Sequence, residues 1–128
     1  MTNKPFKKRP KNLNLFTIRL PINAVVSIMH RASGVLLFLM LPALLWVLQQ
    51  SLASELQYQW IAAGFHHWFF KLILIAVAAA FFHHFFAGIR HLAMDVHWMT
   101  SLQKARFSSR VVLGLVAFSV VVFAWCIW

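Results

Sequence analysis

The sequence predicts an all-α membrane protein with three transmembrane helices, and three observations carry that expectation. Hydrophobic residues make up 62% of the 128-residue chain and charged residues only 11%, which leaves too little polar surface for a water-exposed globule. Two stretches, Leu72 to Ile89 and Val111 to Trp128, each run 18 residues without an Asp, Glu, Lys or Arg, enough to cross a hydrocarbon core of about 30 Å. The basic residues are also unevenly divided among the remaining segments, as they are among the loops of membrane proteins.

Residues 1–21 read as a basic N-terminal arm, with Lys4, Lys7, Lys8, Arg9 and Lys11 interleaved with Pro5 and Pro10, a composition that builds no core of its own. Residues 22–128 are expected to form a single three-helix transmembrane domain, with helices at about 22–50, 64–95 and 106–128. Pro21 suits the first turn of helix one, where its missing N–H costs nothing. That helix is the least clean of the three. Val35 to Leu48 is only 14 residues and contains Pro42, so spanning length requires a start near Ser27 or His30 and hence a polar first turn. A basic leader before an apolar run also suits a signal peptide, but a leader of about 30 residues is long and no small-x-small site follows Leu48, so helix one is expected to be retained.

Between the first two helices, Ser51 to Ala63 reads as a polar loop whose Tyr58 and Trp60 fit the interfacial belt. Lys and Arg number seven in residues 1–31, one (Lys71) between helices one and two, and four (Arg90, Lys104, Arg106, Arg110) between helices two and three. The positive-inside rule then puts the N-terminus and second loop in the cytoplasm and Trp128 on the periplasmic side. The net charge of +10 thereby reports topology, and no nucleic-acid partner is expected.

Helix two carries the strongest chemical signal, His84-Phe85-Phe86-Ala87-Gly88-Ile89-Arg90-His91-Leu92-Ala93-Met94-Asp95. Spacings of four, three and four stack His84, Gly88, His91 and Asp95 on one helical face. That face offers an imidazole about 9 Å deeper than Arg90, a notch where Gly88 lacks a side chain, and polar groups at the rim. A flat metal cofactor fits such a face with its metal at His84, and a neutral histidine bonded to a neighbouring helix is the plainer reading. His83 points about 100° away around the helix, toward another helix or lipid.

Helix one supplies Ser27-Ile28-Met29-His30-Arg31-Ala32-Ser33-Gly34, with Ser27, Arg31 and Gly34 on one face and His30 beside it. A hydroxyl and a guanidinium at the edge of an apolar slot suit a quinone, whose oxygens accept hydrogen bonds while its ring and tail prefer hydrocarbon. Arg31 or His30 would equally hold a carboxylate. The plainer readings are that Arg31 snorkels to the headgroups, Ser27 caps the helix and Asp95 pairs with Arg31 or Arg90. His66, His67 and His97 lie near the interfaces, where histidine is common. Cys126, the lone cysteine, excludes an internal disulfide and reads as an apolar filler. No nucleophile–base pair, phosphate loop or paired carboxylates occur.

Together with Arg9-Pro10-Lys11-Asn12-Leu13 and Thr17-Ile18-Arg19-Leu20-Pro21, these two motifs resemble the cytochrome b subunit of bacterial succinate dehydrogenase over most of the chain. The resemblance implies a membrane anchor of Complex II in the bacterial inner membrane. In that arrangement a haem b is shared with a second small three-helix anchor subunit, each chain giving one axial histidine, and the match places that ligand at His84. It aligns Ser27 and Arg31 with the ubiquinone pocket and brings His30 and Arg31 to the haem propionates; the helical spacing, not the resemblance, adds His91 and Asp95 at the cofactor's edge. It also implies iron-sulfur and flavoprotein partners, with the organic chemistry belonging to cofactors and other subunits. His83 and the bulky Phe81, Phe82, Phe85 and Phe86 depart from the family pattern. The competing expectation is a haem-free structural anchor that docks soluble subunits.

Overall fold

The computed structural model describes residues 17–128; the basic arm expected over residues 1–21 falls mostly outside the described residues. Among the described residues four helices follow one another: α1 Ile22–Ala53, α2 Glu55–Phe65, α3 Trp68–Asp95 and α4 Leu102–Ile127. Three of them, α1, α3 and α4, are long and apolar enough to cross a membrane, as the three-helix expectation requires.

α1 starts at Pro21, which takes the N-cap position with φ −67° and ψ 152° and carries no side-chain cap. Ser27 therefore lies in the second turn of α1 and is not its cap. Pro42 sits within the helix.

The polar loop expected over Ser51 to Ala63 is not a loop. α1 continues to Ala53, the chain turns at Ser54, and α2 occupies Glu55–Phe65. Ser54 is its N-cap, accepting from the Gln57 amide at 3.2 Å. Glu55 stands in the first turn, where a carboxylate opposes the helix dipole. One turn on, the Gln59 amide donates to Glu55 at 3.0 Å. The second span accordingly begins at Trp68, not near 64, capped by His67, whose Nδ1 accepts from the Phe69 amide at 3.3 Å.

α3 and α4 run antiparallel, pinned at both ends. At one end Lys71 donates to the Trp128 carbonyl at 3.2 Å and sits 5.2 Å above the Trp128 ring, a cation–π contact. At the other, Arg90 donates through Nε to the Ser108 hydroxyl at 3.0 Å and through Nη2 to the Ala105 carbonyl at 3.4 Å. Arg90 is thus a buried residue of α3, where the topology count treated it as a loop charge. Its helical position explains the difference, since Ala80, His83, Ala87 and Arg90 recur at helical spacing on the buried stripe.

α1 completes the bundle by laying Val26 against that stripe, where Val26, Ala87 and Val112 form a small core flanked by Phe86, Leu113 and Val116. The small residue Ala87 draws the three backbones together, as small residues do in membrane bundles. The spans bury only 6%, 11% and 6% of their most apolar windows, so most of their surface faces lipid or another chain.

Candidate cofactor site

α1 and α3 bring His84, His30, His91, Gly34 and Gly88 together. The Nδ1 of His84 lies 3.1 Å from the His30 carbonyl oxygen. A carbonyl can only accept, so Nδ1 carries the proton, and in the neutral ring the lone pair resides on Nε2. The imidazole of His30 lies against that of His84 with centroids 4.2 Å and planes 9° apart. His30 also meets His91, with ring centroids 5.0 Å apart and planes tilted by 46°. A Cβ on Gly88 would come within 3.5 Å of His30 Nε2. The spacing of His84, Gly88 and His91 does place them on one face, with the His30 ring beside Gly88 at a distance where a Cβ would make only ordinary contact.

His83 is held quite differently. It is 3% exposed, and its Nε2 lies 3.3 Å from the Val26 carbonyl. By the same reasoning Nε2 is the donor there, and the remaining nitrogen, Nδ1, is buried without a hydrogen-bond partner among the described residues. Carbonyls one turn apart on α1 thus fix two adjacent imidazoles in opposite tautomers. His84 keeps its lone pair on the nitrogen remote from the backbone, while that of His83 is enclosed beside it.

The remaining predicted residues sit around this cluster. Ser27 is half-buried and Arg31 exposed, on the flank of α1 beside the face that Val26, His30 and Gly34 turn toward α3. Asp95 ends α3 and is exposed. Among the described residues the Arg90 guanidinium bonds to Ser108 and Ala105 instead of Asp95. His66 and His67 cap helix ends, and His97 lies in the α3–α4 turn, away from the cluster. No group of three His, Cys, Asp or Glu side chains is arranged to hold a bare metal ion among the described residues.

Two contacts escaped the sequence reading. Ser33 donates to the same His30 carbonyl at 2.9 Å, and Gly34 lies so close to His84 that a Cβ there would fall 2.9 Å from its Cε1. The recurrence of Val26, His30 and Gly34 every four residues sets them on one face of α1, but the close approach to His84 comes from the packing of α3 and has no signal within α1. A separate apolar groove of about 660 Å³ lies at the far end of the bundle between α1, α2 and α3, with Met40, Trp60 and Phe70 among its walls.

The histidine cluster lies within a stretch of chain that matches a known family. Residues 6–123 match the model described as the succinate dehydrogenase/fumarate reductase transmembrane subunit. The chain belongs to this family. It is similar to the succinate dehydrogenase cytochrome b556 subunit of Coxiella burnetii (strain RSA 493 / Nine Mile phase I), 37% identical over 118 residues that cover 91% of this chain and 94% of the relative. It is also similar to the protein of the same description from Rickettsia felis (strain ATCC VR-1525 / URRWXCal2), 32% identical over 98 residues covering 77% and 76%. As a succinate dehydrogenase cytochrome b subunit, the chain carries its histidine cluster inside the matched region.

Proposed function

We propose that this chain is the haem b- and ubiquinone-binding membrane anchor of succinate:quinone oxidoreductase, with His84 as its axial ligand to the haem iron. The carrying observation is the hydrogen bond from His84 Nδ1 to the His30 carbonyl, because it leaves Nε2 as a neutral donor, the state in which histidine binds metals. His83 lacks that property, since its free nitrogen is enclosed. The residues therefore suit a haem bound at one axial position by this chain. Bound there, the haem supplies a one-electron store between the iron-sulfur subunit and the quinone.

The second axial histidine comes from a second small three-helix anchor, for which the largely uncovered spans leave ample surface. His30 and Arg31 flank the site and can donate to the haem propionates, Arg31 in two-point geometry; His91 and Asp95 lie at its rim. Ser27 and Arg31 donate hydrogen bonds to the ubiquinone oxygens while the apolar flank of α1 receives its ring and tail. Electrons arrive from succinate by way of the flavoprotein and iron-sulfur subunits. The reading places the chain in the inner membrane, and the charge distribution supports a cytoplasmic N-terminus and periplasmic C-terminus.

The test is a reduced-minus-oxidised absorption spectrum of the complex purified with its partners. His84→Leu is expected to abolish the b-type signal, and an unchanged spectrum would overturn the ligand assignment. A haem-free anchor is the competing function. It would show no b-type signal at all and would keep quinone reduction after Ser27→Ala and Arg31→Ala.

A further inference from the structure

Four glycines occur in the chain, all within helices, and a Cβ would meet a different environment at each. At Gly64 and Gly114 it would find open space, and at Gly88 an ordinary contact of 3.5 Å. At Gly34 it would lie 2.9 Å from Cε1, 3.2 Å from Nδ1 and 3.9 Å from Nε2 of His84. Only here does glycine answer a steric demand, and the atoms that make the demand belong to one imidazole.

That imidazole has little freedom to retreat. The His30 ring lies parallel to it, and the His30 carbonyl holds Nδ1. His30 and Gly34 are one turn apart on α1, so a single stretch of helix backbone supplies both the acceptor and the clearance. A methyl group at position 34 must displace the ring, and displacement stretches the bond to the carbonyl. The same oxygen also accepts from the Ser33 hydroxyl at 2.9 Å, so two side chains share one acceptor.

We infer that Gly34, the His30 carbonyl and Ser33 form the seat of the His84 imidazole, Gly34 by clearance and Ser33 by competition for the carbonyl, and so tune the haem ligand without touching the haem. This rests on the reading of His84 as the axial ligand. The chemistry gives the seat a direction. A stronger Nδ1–H···O bond makes the imidazole a more basic ligand, which favours ferric iron and lowers the midpoint potential. A weaker bond raises it.

The experiment uses the whole complex, purified from membranes, with haem content per complex, the reduced-minus-oxidised spectrum and the midpoint potential as readouts. Gly34→Ala is expected to weaken haem retention by about 10-fold or more, the range in which residues behind a metal ligand act, or to raise the potential of the haem that remains. Alanine is the better helix former of the two, so a weakened α1 would not account for that loss. Gly114→Ala, where the added methyl meets nothing, is expected to match the unaltered protein. Ser33→Ala frees the carbonyl for His84 alone and is expected to lower the potential, and it remains informative if Gly34→Ala does not assemble.

Unchanged haem content, spectrum and potential in Gly34→Ala would overturn the steric part of the seat. An unchanged or raised potential in Ser33→Ala would overturn the shared-carbonyl part. His84→Leu, measured alongside, separates the two levels: haem retained in that variant refutes the ligand assignment itself, whereas haem lost there with Gly34→Ala unaffected refutes only the seat.

Discussion

His30 holds His84 twice, through its ring, stacked at 4.2 Å, and through its main-chain carbonyl, 3.1 Å from Nδ1. Substitution at position 30 removes the first contact and leaves the second, so the two are separable. An aromatic pair contributes about 1 kcal/mol beyond simple burial, close to 5-fold in binding. His30→Ala, which also removes the propionate donor, is therefore expected to weaken haem retention by at least about that factor, while His30→Phe, which restores a ring but not the donor, retains more haem than His30→Ala. Titration of the purified complex with haem measures both; equal affinity in the two variants would show that the stack does not orient the ligand.

Adjacent histidines give the next comparison. His83 contributes one interhelical bond to Val26, and such bonds average about 0.6 kcal/mol in membrane bundles. Against that stands a buried Nδ1 with no hydrogen-bond partner among the described residues, whose removal is favourable. His83→Leu should then leave stability within about 1 kcal/mol of the original and leave the b-type spectrum intact. Unfolding in detergent mixtures gives the first quantity and absorption the second. Loss of the haem signal in this variant, with the signal kept in His84→Leu, would exchange the roles of the two residues.

The three spans were legible because each contains a long uncharged run, and the His84 face was legible because spacings of four and three recur with helical periodicity. α2 was missed although its signal was present: Ser54-Glu55-Leu56-Gln57 has the capping-box pattern, and Ser54 does cap Gln57. The polar Gln57 and Gln59 drew attention to loop character instead. Arg90 was misjudged because a charge near the end of a span ordinarily snorkels, and only the position of α4 shows that Ser108 awaits it. The same holds for Gly34, whose close approach to His84 depends on how two helices cross, a relation that no one-helix pattern contains.

Arg90 and Ser108 test how a buried cation is tolerated. Ser108 turns its hydroxyl to the Ala105 carbonyl at 3.1 Å and accepts from Arg90 Nε at 3.0 Å. Ser108→Ala leaves Nε buried without that acceptor and should destabilise the α3–α4 pair by about 1–3 kcal/mol. Arg90→Met removes the buried charge along with its demands, so its cost is expected to be smaller, since apolar replacement of buried charged groups is often neutral or favourable. The helical circular-dichroism signal followed against denaturing detergent ranks the two. A larger loss for Arg90→Met than for Ser108→Ala would mean that the guanidinium serves a ligand or partner beyond α4.

At the end of α3 the chain makes a Schellman turn with a residue poorly suited to it. His97 adopts φ 61°, its amide donates to the Met94 carbonyl at 2.9 Å, and the Trp98 amide donates to the Ala93 carbonyl at 3.0 Å, the paired bonds that close such a terminus. Glycine ordinarily fills this left-handed position because a Cβ there costs about 1–2 kcal/mol. His97→Gly is expected to recover up to about 1 kcal/mol, part of the gain being offset by the greater freedom of glycine in the unfolded chain. His97→Val, β-branched at the same φ, should destabilise instead. Detergent unfolding of the two variants gives the ordering, and the b-type spectrum is expected to be the same in both because His97 lies outside the histidine cluster. If His97→Gly proved less stable than the unaltered chain, the imidazole would have to make a contact that outweighs the strain of its backbone, and the exposed turn would become the place to look for a docking partner.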